Sequence, residues 1–156
     1  MAGFSMSVQR HGIIHHLAKI HRMRDIVDEV TTSLRGMVVK FEADNAFLTF
    51  ATAASAIRAA LRIKERFAQS NRETAKENDI EASIGIGFGP SILMDDDFYG
   101  DEVNLASKLG EELAENGEVL LTKSASKELK SGNYRLKRLS LKVSGARLAA
   151  SRLLAI

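Results

Sequence analysis

Between Ala82 and Gly89 the chain alternates Ala82, Ile84, Ile86 and Phe88 with Ser83, Gly85, Gly87 and Gly89, and no other stretch restricts the fold as much. A period of two is that of a β-strand, here with apolar side chains on one face and almost none on the other. A bare face lets another element approach the backbone, so close packing is expected there. The sequence that follows has a different period. Val103, Ala106, Leu109 and Leu113 recur at helical spacing, and Asn116-Gly117 offers a stop that tolerates left-handed backbone. Between strand and helix lies the run Asp95-Asp96-Asp97-Phe98-Tyr99-Gly100-Asp101. Asn104 and Lys108, four apart, project from one helical face, away from the apolar stripe and close to this aspartate-rich turn.

Upstream, Ile13, Leu17, Ile20 and Val27 follow helical spacing within a segment from about Ser7 to Leu34, which Arg35-Gly36 ends. Met37-Val38-Val39 and Phe47-Leu48-Thr49-Phe50 are β-rich runs joined by a turn at Ala43-Asp44-Asn45, a hairpin. Ala53, Ile57, Ala60, Leu61, Ile63 and Phe67 mark a second amphipathic helix whose alanines let it lie close to a sheet. Gln69 to Asp79 is polar and reads as surface. Pro90, the one proline, ends the glycine-faced strand and sets the turn toward Asp95. Downstream, Lys123 to Lys130 suits a short helix, Tyr134 to Leu139 a strand with a basic face, and Leu148 to Leu154 a last edge strand.

With 156 residues, 45% of them hydrophobic, the chain suits one domain with a single core. Cysteine is absent, which excludes disulfides and thiolate metal sites; a cytoplasmic location is expected. No apolar run approaches the about 20 residues of a membrane helix, so no membrane contact is expected from this segment. Net charge is only +2, with both signs interspersed and few aromatics, which argues against a nucleic-acid surface. His11 and His15 share a helical face, but no carboxylate or further histidine completes a metal spacing. With His16 and His21 they read as solvated or core-edge positions.

Three segments in order resemble the class III nucleotidyl cyclase catalytic domain, the family of most adenylate and guanylate cyclases. Gly3-Phe4-Ser5 is similar to the end of its Asp-x-x-Gly-Phe-Thr/Ser segment, and Val39-Lys40-Phe41-Glu42-Ala43-Asp44 to its Lys-x-x-Gly-Asp hairpin. Asp95 to Leu109, with Gly117-Glu118-Val119-Leu120-Leu121-Thr122 after it, is similar to the third. The resemblance implies an α+β, ferredoxin-like cyclase fold: a split βαβ sheet with helices on one side, here lacking its first strand. It implies a single cyclase homology domain over residues 1–156, N-terminally truncated relative to the family. The family's first metal aspartate, expected upstream of Gly3, is not in this sequence.

The chemistry so implied is conversion of ATP to 3′,5′-cyclic AMP and pyrophosphate, by metal-assisted in-line attack of the 3′-hydroxyl on the α-phosphate, with Mg2+ or Mn2+. By resemblance Asp44 is a metal ligand, and Gly3, Phe4 and Ser5 form a phosphate cradle of backbone N–H groups opening a helix. Lys40 and Asp97 match the adenine-type purine pair, one donating to a ring nitrogen and the other accepting from the exocyclic amine. Asn104 matches the transition-state asparagine. Lys108 stands where the family usually has a phosphate-binding arginine, and supplies a cation without the two-pronged geometry. All these residues fall in one chain, as a symmetric homodimer with two equivalent sites requires, with any regulatory domain outside the segment. The rival reading is a catalytically silent cyclase-like module that binds nucleotide or serves dimerisation; a ferredoxin-like nucleic-acid binder ranks last.

Overall fold

The computed structural model describes residues 12–95, 97–129, 134–143 and 146–155. Helix α1 runs from Ile13 to Ser33 and buries Ile20, Met23, Ile26, Val27 and Val30. This apolar stripe joins Ile63, Phe67 and Ile80 in one core cluster. Arg35, in the left-handed region at φ 58°, turns the chain out of the helix, and the Gly36 N–H donates to the Thr31 carbonyl at 2.9 Å. Strands β1 (Met37–Glu42) and β2 (Asn45–Thr49) then form the expected antiparallel hairpin around Ala43 and Asp44. Helix α2 spans Ala53–Asn71 and opens with Thr52, whose side-chain oxygen accepts from the Ser55 N–H at 3.1 Å. Its buried Ala53, Ala59 and Ala60 keep that face low. The polar stretch beyond contains one 3-10 turn, Lys76–Asn78. No helix among the described residues is long and apolar enough to cross a membrane.

Strand β3 covers only Ile84–Ile86, shorter than the alternation from Ala82 to Phe88 suggests. Beyond Ile86 the backbone leaves the sheet, and the Phe88 N–H donates to the Glu102 carboxylate at 3.2 Å. Two short strands follow, β4 (Ile92–Met94) and β5 (Asp97–Tyr99), paired antiparallel as a separate arm that sequence reasoning took for a turn. Strands of three residues are too short for a period to show, and aspartates resemble any solvated loop. Helix α3 (Asp101–Lys108) continues as a wider π turn over Leu109–Leu113. Next come β6 (Val119–Thr122), α4 (Lys123–Glu128), β7 (Arg135–Val143) and β8 (Ala146–Ala155).

The main sheet has the order β3-β6-β8-β7. Strand β3 is parallel to β6, and the remaining pairs are antiparallel. The expectation that Leu148 to Leu154 forms an edge strand is corrected: β8 lies inside the sheet and β7 is the edge. The reason is burial. Ala150 and Ser151 are nearly inaccessible, whereas Arg135, Lys137, Arg138 and Lys142 keep β7 exposed, charged and unattractive to further strands.

The hairpin β1–β2 is not bonded to the main sheet. Between β2 and β3 lies a slot of about 770 Å³, floored by Met23 and Val27 of α1 and Ile63 and Phe67 of α2. The strand edges facing it, one on β2 and one on β3, have no strand partner among the described residues. This is where the ferredoxin-like plan implied by the sequence has no first strand among the described residues.

The bare face of β3 is covered by α3. A Cβ on Gly85 would lie 1.9 Å from the Ala106 carbonyl oxygen and 2.7 Å from the Gly110 nitrogen. A Cβ on Gly110 would lie 2.9 Å from the Gly85 nitrogen, and one on Gly87 2.5 Å from the Glu102 carbonyl oxygen. Backbone therefore rests on backbone. Gly85→Ala cannot be relieved by a rotamer change, and it should destabilise the fold by about 3 kcal/mol, the upper end of ordinary overpacking. A denaturant titration measures this, and a midpoint unchanged from wild type would show that the helix does not pack as described.

Candidate active site

Lys40, the fourth residue of β1, reaches across to Asp97, the first residue of β5, with Nζ 2.8 Å from Oδ1. The same ammonium bonds Glu42 Oε1 at 2.9 Å and stands 4.8 Å from the centre of the Phe47 ring on β2. Residues two apart on a strand share a face, which is why Lys40 and Glu42 meet. Asp97 Oδ1 also accepts from the Phe98 N–H at 2.7 Å. An ammonium carries three N–H donors and a carboxylate several lone pairs. With two donors given to Glu42 and Asp97, Lys40 has a third N–H, while the Asp97 carboxylate also has a side-chain hydrogen bond with Tyr99. The pair presents a donor next to an acceptor.

Asp44 follows in the turn of the same hairpin, half-buried and lining the slot. Ala43 before it is left-handed at φ 49°, where the family pattern has glycine. Arg24 of α1 fixes this turn by donating to the Ala43 carbonyl at 3.1 Å while its guanidinium lies 5.1 Å over Phe41. Asn104 and Lys108 share one face of α3, as their spacing predicts. They line a shallow groove of about 450 Å³ with Ser107, Glu111 and Glu112. Strand β5 packs against both β1 and α3, so the arm connects the Lys40–Asp97 pair to the helix that carries Asn104 and Lys108.

Gly3, Phe4 and Ser5, the expected phosphate cradle, lie outside the described residues, as does His11. His16 is buried on α1. Among the described residues no group of three or more histidine, aspartate or glutamate side chains is gathered to hold a metal ion. Sequence reasoning missed Glu42, Phe47 and Glu102. The period of β1 carried a signal for Glu42. Nothing local marked Glu102.

The two charges of the pair stabilise each other. The hydrogen bond from Lys40, then that from the Phe98 N–H, holds the Asp97 carboxyl below its ordinary value of 3.8. The Asp97 carboxylate, then Glu42, raises Lys40 above its ordinary 10.5. A carboxyl with a depressed folded pKa contributes stability above its unfolded pKa and loses it as pH falls through the folded one. A raised lysine contributes below its unfolded pKa and loses it as pH rises through the folded one. Asp97→Asn should therefore be slightly less thermostable than wild type near neutral pH, with the gap closing as pH falls below the ordinary carboxyl range and through the depressed Asp97 value. A gap that persists unchanged at the lowest pH would show that the pair is not its source.

A family model described as the adenylate and guanylate cyclase catalytic domain matches residues 8–150. A protein of Rhizobium meliloti (strain 1021) named "Putative adenylate cyclase 3" is 26% identical over 120 residues, 77% of this chain and 20% of that protein. The chain thus spans about a fifth of the length of that curated relative. Among solved structures, an adenylate/guanylate cyclase/hydrolase from Silicibacter pomeroyi is 25% identical with a TM-score of 0.77, covering 99% of this chain and 92% of its own. The adenylyl cyclase CyaB from P. aeruginosa, 17% identical, has the same fold at a TM-score of 0.79, covering 99% and 90%. Those matches, over a hairpin, arm and helix arranged as described, establish that the chain belongs to the class III adenylate and guanylate cyclase catalytic domain family.

Proposed function

We propose that this domain is an adenylate cyclase that converts ATP to cyclic AMP and pyrophosphate as a symmetric homodimer. The observation that carries the choice of ATP is the Lys40–Asp97 contact at 2.8 Å. A donor beside an acceptor suits the ring nitrogen and exocyclic amine of adenine, whereas guanine offers the opposite order at that edge. With the purine so held, Asn104 steadies the developing charge or the ribose, and Lys108 places a cation against the phosphates. Lysine gives one point of charge where arginine would give two parallel hydrogen bonds, so a modest rate is expected.

A divalent cation, Mg2+ or Mn2+, supplies Lewis-acid activation of the 3′-hydroxyl and neutralises the phosphates. Such ions are commonly bound through one or two carboxylates together with substrate phosphates, not by an all-protein cage. Asp44 fits that role as a single ligand at the hairpin turn. Symmetric assembly is supported by the arm, where Ile92, Leu93, Met94 and Tyr99 are 48% to 66% exposed. We read the described residues as one cyclase homology domain whose slot between β2 and β3 receives one further strand, and place it in the cytoplasm, where ATP is available. The second reading, a silent nucleotide-binding or dimerisation module, is favoured by that slot and by the single carboxylate.

Incubation with ATP and Mn2+ should yield cyclic AMP, and Asp44→Ala should lower the rate by about a hundredfold or more, the kinetic equivalent of several kcal/mol of lost charge stabilisation. Nucleotide binding without any cyclic product at high protein concentration would favour the silent module instead.

A further inference from the structure

Glu102, the second residue of α3, is tied to the ends of two strands. Its Oε2 accepts from the Thr122 hydroxyl at 2.6 Å and from the Phe88 backbone N–H at 3.2 Å. Strands β3 and β6 are parallel neighbours with Ile86 opposite Leu121, so Phe88, two residues past the end of β3, lies near Thr122, the last residue of β6. Thr122 is 1% exposed, and its hydroxyl oxygen also accepts from the Ala125 N–H at 3.1 Å to cap α4. One carboxylate thereby joins β3, β6 and, through Thr122, the start of α4. Its place is shaped for it. A Cβ on Gly89 would lie 2.8 Å from Glu102 Cγ, and one on Gly87 2.5 Å from the Glu102 carbonyl oxygen.

Helix geometry gives this anchor a consequence for the site. Successive residues turn by about 100°, so Asn104 points about 200° and Lys108 about 240° away from Glu102. The anchor faces the sheet while Asn104 faces outward and is exposed, as observed. Fixing the inner carboxylate sets both the height and the rotation at which the outer pair is presented. We propose that Glu102 is a positioning residue that holds Asn104 and Lys108 in register with the nucleotide, acting through the Thr122 hydroxyl and the Phe88 N–H. This rests on the cyclase reading only for what Asn104 and Lys108 do, since the anchor itself can be measured without turnover.

The test compares Glu102→Ala, Glu102→Gln and Thr122→Val in two assays: steady-state cyclic AMP formation, and amide hydrogen exchange over Asp101 to Lys108. Glu102→Ala and Thr122→Val should each lower kcat by about tenfold to a hundredfold with KM for ATP changed by less than about threefold, because the Lys40–Asp97 pair lies on other elements. Both should speed exchange in that segment by about tenfold or more. Glu102→Gln keeps an acceptor oxygen for both donors and should restore most of the rate and the protection. The proposal is overturned if Glu102→Ala leaves exchange at the wild-type rate, if KM rises while kcat holds, or if Glu102→Gln falls as far as alanine. Should Glu102→Ala fail to fold, Thr122→Val carries the same comparison, and should the wild-type chain form no cyclic product, the exchange assay alone decides.

Discussion

The contact of α3 backbone with the glycine face of β3 is the constraint on which the site depends. No side chain separates Gly85 from the Ala106 carbonyl and Gly110, so the helix cannot slide or roll without a clash of main-chain atoms. The packing fixes the depth of α3, and with it the positions of Asn104 and Lys108 on the outer face and Glu102 on the inner one. The arm enters the same arrangement, since β5 leads through Gly100 directly into α3. Lys40 comes from a different unit, the β1–β2 hairpin, and meets this assembly at Asp97. The candidate site is thus a junction between the hairpin and the arm–helix unit.

That junction contributes little to stability. Its partners are 22% and 38% exposed, and ion pairs in such positions are screened by water and salt. What the pair offers is orientation: Glu42, Phe47 and the Phe98 N–H restrict where the ammonium and carboxylate can point. Recognition of a purine edge needs a donor and an acceptor at fixed spacing, and it is on this restricted pairing that the proposed reading of the purine rests.

How much was legible in the sequence varied with the length scale of the signal. The glycine alternation foretold close packing without naming the partner, the i, i+4 spacing foretold the shared face of Asn104 and Lys108, and the β-rich runs foretold the hairpin that carries Lys40 and Asp44. Each is a periodic pattern that local geometry enforces. The β4–β5 arm was hidden because three-residue strands have no period to detect. The internal place of β8 was hidden because strand order is settled by burial across the sheet, and Ala150 and Ser151 do not advertise it. The hydrogen bonds of Glu102 were invisible because its partners, Phe88 and Thr122, are distant in sequence and meet it only once β3 and β6 lie side by side.

The most direct test of the claim that the Lys40–Asp97 pair reads the purine is equilibrium affinity for ATP against GTP, which asks for no catalysis. The account predicts that ATP binds more tightly by about tenfold or more, as expected when a mismatched base leaves polar groups unpaired, and that Asp97→Ala brings the two affinities together. Equal binding of the two nucleotides by the wild-type chain, or tighter binding of GTP, would contradict it.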